Sequence, residues 1–173
     1  MRTIALRAGI SAIHVTAFIR QLNNLAAILE KGAAHADAKK IDPKVLINSR
    51  LYPDMFPLVR QVQIATDTAR AGAARLAAVE VPTQEDNETT FAELVARVRK
   101  TISYLETLKA EQFEGSEDRT VTWHTRSSTK TMQGMPYLQN HLLPNLYFHI
   151  TTTYNILRHS GVELGKMDFL GKP

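Results

Sequence analysis

One amphipathic segment near the C-terminus, residues 134–161, constrains the fold of this 173-residue chain more than any other feature. At 100° per residue, its apolar side chains occupy roughly half of the helix circumference, which is wider than one neighbouring helix covers. These side chains are Leu138, Leu142, Leu143, Leu146, Tyr147, Ile150, Tyr154, Ile156 and Leu157. We therefore expect a long helix that lies centrally in a helical domain or also packs against a second subunit. Pro144 predicts a kink or local opening in this helix, and Gly161 predicts its end.

Three earlier segments repeat apolar side chains at helical spacing and are predicted to form the other long helices: residues 6–31, 55–79 and 90–108. Gly32 is expected to stop the first helix, and Asp54 is expected to cap the N-terminus of the second. A capping box between Thr90 and Glu93 predicts the start of the third. A short helical turn is also predicted to begin at Asp42.

The second predicted helix has a side of small residues and a polar side. Ala65, Ala69 and Gly72 form a line of small residues, which predicts that another helix approaches closely there. The polar side chains are Arg60, Gln63, Asp67 and Arg70. We expect this polar side to face solvent, with a subunit interface as the alternative.

Residues 119–133 alternate polar and apolar side chains around a short polar turn, which predicts a β-hairpin. Val121 and Trp123 share one face of the hairpin and are expected to cover one end of the helices. The tail, residues 162–173, contains enough apolar side chains to predict that part of it docks. The chain, residues 1–173, is thus predicted to be a single all-α domain, a four-helix bundle with a small β-hairpin insert before the last helix.

Composition narrows the function classes. The chain has no cysteine, which excludes disulfides, thiolate metal sites and a cysteine nucleophile and is compatible with a cytoplasmic protein. The net charge is +4, but the basic residues are scattered without interleaved aromatics, so we expect no nucleic-acid partner. No stretch approaches the roughly 20 apolar residues that span a bilayer, so no membrane association is expected. The apolar N-terminal stretch after Arg7 is interpreted as helix and not as a targeting segment.

Candidate site residues lie on the last and second helices. Asn145 and His149 fall at the edge of the apolar arc, and a buried polar side chain must be hydrogen-bonded. We predict His149 as the main functional residue of a ligand pocket between these helices, acting as donor, acceptor or base. Asn145, Tyr154 and Gln61 are further candidates. The alternative is that His149 is a buried histidine with a structural role alone.

Histidine spacing does not predict a metal site. His141, His149 and His159 are separated by 8 and 10 residues, whereas two ligands on one helix need a spacing of three or four. His141 and His159 share a direction but stand about 27 Å apart along the helix. No catalytic motif of a familiar hydrolase, nucleotide-binding protein or zinc protease is present. We therefore predict no metal ligand, and any cofactor is left open.

Several short motifs resemble one protein family over nearly the whole chain. They comprise Asp54-Met55-Phe56-Pro57-Leu58, Arg60-Gln61-Val62-Gln63 with Asp67, Val81-Pro82, Thr89-Thr90-Phe91-Ala92-Glu93-Leu94, Glu114-Gly115-Ser116-Glu117-Asp118-Arg119, Pro144-Asn145, Tyr147-Phe148-His149, Tyr154, Leu157-Arg158-His159, and Gly161-Val162 with Leu164-Gly165-Lys166. The chain resembles domain of unknown function 1993, a family similar to the DinB/YfiT-like superfamily of proposed metalloenzymes.

This resemblance implies a DinB-like four-helix bundle that is often a homodimer. The wider superfamily binds a divalent metal through one histidine on helix two and an HxxxH pair on helix four, and it includes thiol-dependent S-transferases and maleylpyruvate isomerase-like enzymes. This chain departs from that pattern. Thr153 stands four residues after His149, Asn155 stands four before His159, and the second helix contains no histidine.

Three functions therefore remain open from the sequence. The first is binding of a small molecule at His149 without a three-histidine metal site. The second is a divalent-metal-dependent transferase or hydrolase with a reduced metal site around His149. The third is a structural homodimer without catalysis.

Overall fold

Four long helices carry the hydrophobic core in the computed structural model, which describes residues 12–125 and 127–171. In chain order, the elements are α1 (Ala12–Lys39), α2 (Pro43–Ile47), α3 (Leu58–Leu76), α4 (Phe91–Glu106), a 3-10 turn (Ala110–Phe113), β1 (Thr120–His124), β2 (Thr129–Gln133), α5 (Gly134–Tyr137), a π-helical turn (Leu138–Leu142), α6 (Leu143–His159) and α7 (Lys166–Leu170). The predicted helical bundle with a hairpin before the last helix is confirmed.

The long helices pack in two main pairs, α1 with α4 and α3 with α6, and α3 also contacts α4. Their apolar faces meet in one core, which includes Phe18, Leu22, Leu25, Leu58, Val62, Leu94, Val98, Leu146 and Ile150. Within the described ranges, no helix is both long enough and apolar enough to cross a membrane.

Gly32 does not end the first helix, so that prediction is wrong. Helix α1 continues to Lys39 through an alanine-rich segment, which favours helix. A side chain at Gly32 would place its Cβ 3.0 Å from Cε1 of Phe91 and 3.2 Å from Cδ1 of Leu157. The missing side chain therefore lets α4 and α6 approach closely and does not terminate the helix. The predicted start at residue 6 lies outside the described residues.

The boundary at Asp54 is also wrong, because α3 begins only after Pro57. A residue before proline avoids the helical region, so Phe56 keeps the chain extended until the proline has been passed. Two other boundaries are confirmed. Asp42 caps α2 by accepting from the backbone N–H of Lys44 at 2.9 Å.

The capping box of α4 is confirmed as well. The backbone N–H of Glu93 donates to Oγ1 of Thr90 at 3.2 Å, and the carboxylate of Glu93 accepts from the backbone N–H of Thr90 at 2.9 Å. Each side chain thus satisfies one N–H that the first turn leaves without a helical partner.

The predicted opening at Pro144 is the π-helical turn of Leu138–Leu142, which immediately precedes α6. In a regular helix the proline ring clashes with the carbonyl four residues earlier and supplies no N–H. The wider turn moves that carbonyl away, so the backbone continues into α6. The single long helix predicted for residues 134–161 is therefore α5, the π-turn and α6 in succession.

The hairpin covers one end of the bundle, as predicted. Strands β1 and β2 pair antiparallel with Val121 opposite Met132, and the side chains of Val121 and Trp123 are buried. The ring of Trp123 packs on Tyr137 and His141, with ring centroids 5.0 Å and 4.6 Å away. These contacts join the hairpin to the start of the last helical segment.

The predicted docking of the tail is confirmed for residues 162–171. Helix α7 packs against α1, where Asn24 donates to the carbonyl of Phe169 at 2.9 Å and Arg20 donates to that of Leu170 at 3.1 Å. Lys31 pairs with Asp168 at 2.7 Å. Residues 172 and 173 lie outside the described chain.

The close helix approach predicted at the small residues of α3 is present, and Gly72 is its tightest point. A Cβ added there would lie 2.3 Å from Cδ1 of Leu142, which is fully buried in the π-turn. Any side chain at position 72 must therefore displace the side chain of Leu142.

We expect Gly72→Val to lower the free energy of unfolding by about 2–3 kcal/mol, because overpacking a closed core strains both helices. Urea denaturation measures this loss. Gly165→Val is the matched control and should change stability by less than about 0.5 kcal/mol, since a Cβ there meets no atom within 4 Å. The combination of Gly72→Val with Leu142→Ala should cost less than the two single losses added together; simple additivity would refute the steric explanation.

Candidate functional site

The side chains of His149 and Gln61 meet where α6 packs against α3. Nδ1 of His149 lies 2.7 Å from Oε1 of Gln61, and Nε2 of Gln61 donates to the backbone carbonyl of Phe56 at 3.0 Å. Both side chains are buried, with 9% of His149 and 2% of Gln61 exposed. Two of the four residues predicted for the site are therefore joined directly, across two helices that are distant in sequence.

The hydrogen bond from Gln61 to Phe56 determines where His149 carries its proton. Because the amide NH2 of Gln61 donates to that carbonyl, the amide oxygen faces the imidazole and can only accept. Nδ1 of His149 is therefore the protonated nitrogen, and Nε2 keeps its lone pair. Within residues 12–125 and 127–171, Nδ1 is the ring nitrogen of His149 that makes a hydrogen bond, and Nε2 makes none.

The imidazole of His149 is neutral at pH 7. Burial, together with the positive charge of Arg60, lowers the pKa of His149 from 6.5 to about 4. A neutral imidazole with a fixed tautomer presents Nε2 as a hydrogen-bond acceptor, a base or a single metal ligand. Its orientation is fixed because Gln61 is itself held by the backbone.

The other two predicted residues are not hydrogen-bonded to this pair. The amide of Asn145, one turn before His149, donates to the backbone carbonyl of His141 at 2.6 Å and lies 3.4 Å from its Nδ1. Tyr154 is half-buried and packs against the hydrophobic core. The structure thus groups Asn145 with His141 at the hairpin end and leaves Tyr154 as a packing residue.

Exposed aromatic side chains flank the His149–Gln61 pair. Phe148 meets the ring of His149 edge to face at a centroid distance of 5.2 Å and is 56% exposed. Phe56, whose carbonyl holds Gln61, is 55% exposed. Tyr52 lies four residues before Phe56, in a turn where the backbone N–H of Met55 donates to the carbonyl of Tyr52 at 3.0 Å. One exposed aromatic ring therefore contacts the buried polar pair, and the exposed residue Phe56 holds it through its backbone.

The polar side of α3 is not a solvated face, so that prediction is wrong. Gln63 and Arg70 are buried, while the side chains of Asp67 and Arg60 keep about a third of their surface exposed. The acidic loop before α4 and the N-terminal half of α4 lie against this side. The residue at the centre of the contact is Arg97, which the sequence analysis did not single out as a site residue.

Arg97 is buried, and each nitrogen of its guanidinium makes at least one hydrogen bond. Its Nε donates to Oγ1 of Thr66 at 2.7 Å, and its Nη2 lies 2.7 Å from Asp67 and 2.9 Å from Asp86. Its Nη1 reaches Glu88 at 2.9 Å and the carbonyl of Glu85 at 2.8 Å. Burial alone would lower the pKa of Arg97, but the hydrogen bond with Glu88 and the carboxylates of Asp67, Glu88 and Asp86 raise it above the ordinary value.

Arg60 connects this network to the His149 site. Its guanidinium donates to Oε1 of Gln63 at 3.1 Å and pairs with Asp86. Gln63 in turn donates to Glu88 at 2.9 Å. Since Arg60 directly precedes Gln61 on α3, the ion-pair network and the histidine site share one helical turn.

One pattern could have revealed the network. Leu94, Arg97, Thr101 and Leu105 follow one another at helical spacing, so Arg97 stands within the apolar stripe of α4. A charged residue at such a position requires a buried counter-charge. The acidic residues of the preceding loop, Glu85, Asp86 and Glu88, are the nearest source in sequence.

A groove of about 530 Å³ lies beside the network and not at the histidine. Its lining includes Glu85, Glu88, Glu93, Arg97 and Lys100. His149 and Gln61 do not line it. Among the residues that the structure describes, no group of three or more histidine or carboxylate side chains is placed to hold a metal ion.

The fold and the pairing of α3 with α6 place this protein in the class of DinB-like helical bundles. A crystal structure of a DinB family member from Shewanella denitrificans superposes with a TM-score of 0.86, at 45% sequence identity over 92% of this chain and 90% of that one. The family model for domain of unknown function 1993 (DUF1993) matches residues 10–170, and the chain belongs to this family. No curated protein matches it significantly.

We expect Arg97→Met to destabilise the protein by about 3–5 kcal/mol, because it leaves Asp67, Asp86 and Glu88 without their shared cation. Arg99→Met is the matched control on the same helix, since Arg99 is half-exposed and should cost less than about 0.5 kcal/mol. Urea unfolding of both variants makes the comparison. Equal losses of unfolding free energy in the two variants would show that the buried ion pairs of Arg97 contribute no more to stability than an exposed arginine does.

The neutral state of His149 predicts a specific pH dependence. The unfolded chain takes up a proton at His149 near the ordinary pKa of 6.5, whereas the folded protein does so only near 4. Stability contributed by neutral His149 is thus fully present above about pH 6.5 and is lost as the pH falls towards 4. Between pH 7 and 4, the wild-type protein should lose about 2 kcal/mol more than His149→Gln, after allowance for partial solvent screening.

Two measurements check this prediction. Denaturation at a series of pH values gives the difference in slope between the wild-type protein and His149→Gln. An NMR titration of the histidine ring protons gives the midpoint directly, expected near 4 for His149. A midpoint near 6.5 would contradict both the burial of the ring and the role assigned to Arg60.

Proposed function

We propose that this DUF1993 protein binds a small organic molecule at His149, between α3 and α6, and that Nε2 of His149 accepts a hydrogen bond from it. The observation that carries the proposal is the chain of hydrogen bonds from His149 through Gln61 to the carbonyl of Phe56. A structural histidine needs one buried partner, but this one is held in a single tautomer by a partner that is itself fixed. Such preorganisation is typical of binding and catalytic groups.

The surroundings of Nε2 suit an organic ligand. Phe148, whose ring contacts that of His149, and Phe56, whose carbonyl holds Gln61, each expose more than half of their surface. Aromatic walls with one fixed polar group are the usual composition of a small-molecule site. The ligand would gain apolar contact from the rings and orientation from the imidazole.

A divalent metal is the weaker alternative at this position. The histidine is accompanied by the amide of Gln61 and the positive charge of Arg60, and a cation would be repelled by the latter. Gln61 Oε1 is already engaged by Nδ1. A metal held by one imidazole and solvent would bind weakly.

A homodimer is a second candidate, favoured by the exposed apolar side chains around the site. Tyr52 is 65% exposed, and Phe56 and Phe148 are similarly open. We propose a second copy of the chain as the partner of this surface. In such a dimer the ligand site would lie at the interface. Sedimentation analysis of wild-type protein and Phe148→Asp tests whether the dimer forms through this surface.

The test of the binding proposal is a fragment screen observed on isotope-labelled protein by NMR at pH 7. Fragments that bind should shift the side-chain resonances of His149 and Gln61. His149→Gln should weaken such binding by about tenfold or more, as expected for loss of one oriented hydrogen bond in a desolvated site.

His159→Gln is the matched control, because His159 is exposed on the same helix. Parallel additions of zinc, nickel and manganese, each with a melting curve, test the alternative. Fragment binding that is unchanged in His149→Gln would refute the proposal. One ion per chain, lost in His149→Gln, would replace it with the metal-dependent function.

A further inference from the structure

A second groove, of about 450 Å³, lies on the outside of the bundle, between α1, α6 and α7. Helix α1 contributes Ala17, Arg20 and Gln21 to its lining, α6 contributes Tyr147, and α7 contributes Met167 and Leu170. The volume is within the range of about 300–1,000 Å³ that is typical of small-molecule sites. His149 does not line this groove. Because Tyr147 stands two residues before His149, the two side chains leave α6 in directions about 160° apart.

Three large apolar side chains border the groove and remain open to solvent. Tyr147 is 37% exposed, Met167 is 57% exposed and Leu170 is 39% exposed. Side chains of this kind are mostly buried in folded proteins, and their grouping around one concave surface is typical of a site that binds an apolar group. A ligand with an apolar body would remove this surface from water.

Arg20 places a positive charge at the same groove. Its guanidinium is exposed, and its Nη2 donates to the carbonyl of Leu170 at 3.1 Å, so the charge lies at the end of α7. Among the described residues that line the groove, Arg20 is the one charged side chain. The acidic residue of α7, Asp168, is paired with Lys31 at 2.7 Å. A fixed cation beside apolar walls favours a ligand with an anionic head group.

Gln21 supplies an amide next to this charge. Its Oε1 is buried and makes no hydrogen bond within residues 12–125 and 127–171. Amide groups that are removed from water normally bond through both ends. Because no described protein group fixes this oxygen, the amide can turn and donate its NH2 group to a carboxylate held by Arg20, its neighbour on α1.

We propose that this groove binds an amphipathic monocarboxylate, such as a medium-chain fatty acid or an arylalkanoic acid. The carboxylate pairs with Arg20 and accepts a hydrogen bond from the amide of Gln21. The apolar body lies along Tyr147, Met167 and Leu170. The site is separate from His149, so the inference goes beyond the ligand proposed there and stands or fails independently of it.

Four probes separate the head group from the apolar body. Octanoate carries both, 1-octanol carries the same chain without the charge, and acetate carries the charge with a single methyl group. 3-Phenylpropanoate carries the charge on an aromatic body, so its comparison with octanoate distinguishes the two kinds of acid. Each probe is titrated into isotope-labelled protein at pH 7 and constant ionic strength, below the concentration at which it forms micelles. The NMR resonances of Gln21, Tyr147 and Met167 report binding.

We expect octanoate or 3-phenylpropanoate to bind about tenfold or more tightly than 1-octanol, the gain from one charge-assisted pair with arginine. Octanoate should exceed acetate by about a hundredfold or more, because acetate leaves the apolar walls in water. Arg20→Gln should remove the preference for octanoate over 1-octanol.

Met167→Asp tests the groove while keeping the contacts that dock α7. Those contacts come from Arg20, Asn24 and Lys31, whereas the side chain of Met167 is more than half exposed. A carboxylate in the wall should repel octanoate and weaken its binding by about tenfold or more. Met132→Asp is the matched control, because it makes the same change in charge at an exposed position on β2 and should leave the affinity unchanged. Melting curves verify that each variant is folded.

Several results would overturn the inference. If 1-octanol binds as tightly as octanoate, the ligand class is not a carboxylate. Equal losses in Met167→Asp and Met132→Asp would reduce the effect to overall charge. Resonances of Tyr147 and Met167 that move with protein concentration before any probe is added would show that a second copy of the chain covers the groove.

The same titrations distinguish this groove from the His149 site. Probe-induced shifts confined to His149 and Gln61 would support the proposed function and overturn the inference. Shifts at Gln21 and Met167, together with a negative fragment screen at His149, would support the inference and overturn the proposed function. The absence of any shift at Gln21, Tyr147 and Met167 up to the highest usable octanoate concentration would overturn the inference alone.

Discussion

The buried guanidinium of Arg97 is the interaction on which the arrangement of α3, α4 and their connecting loop depends. A charge with 1% of its surface exposed is tolerated only if every donor finds an acceptor. The acceptors come from Thr66 and Asp67 on α3 and from Glu85, Asp86 and Glu88 in the loop. The loop is thereby held against α3. This position brings Asp86 to Arg60, one residue from the amide that orients His149.

A second constraint acts from the opposite side of α3. The small residues of α3 admit Leu142 at Gly72, and the π-turn that carries Leu142 leads directly into α6. The depth at which α6 packs, and hence the contact of His149 with Gln61, follows from this close approach. The site is therefore defined by two kinds of packing, one ionic and one apolar, on two sides of a single helix.

Local rules predicted much of the fold because they act over a few residues. The capping box at Thr90, the cap at Asp42, the hairpin and the opening at Pro144 all depend on neighbours within one turn. The predictions at Gly32 and Asp54 failed for contrasting reasons. Gly32 allows a close contact with α4 and α6, which a local sequence pattern does not show. The effect of Pro57 on Phe56 is local, but the prediction gave priority to Asp54 as a typical N-cap residue.

The site was predicted in part for the same reason. Helical spacing identified His149 as a polar residue at the edge of an apolar arc, and Gln61 was a further candidate on the second predicted helix. The bond from Asn145 to the carbonyl of His141 is also local, because an asparagine side chain can bond the backbone carbonyl one turn before it. The Arg97 network was missed because the polar side of α3 has the composition of a solvated face. This side of α3 becomes buried only because the acidic loop lies against it, and the placement of that loop depends on long-range contacts.

The π-turn also makes the spacing between the hairpin and His149 indispensable. A π-turn holds one residue more than an α-turn, so it acts as a one-residue insertion that the helix has absorbed. Each residue added or removed rotates everything beyond it by 100° about the helix axis. Loss of a single residue from 138–142 would restore regular winding, and the ring of Pro144 would then clash with a carbonyl of the preceding turn. The number of residues between Trp123 and His149 is therefore more tightly constrained than the identity of their side chains.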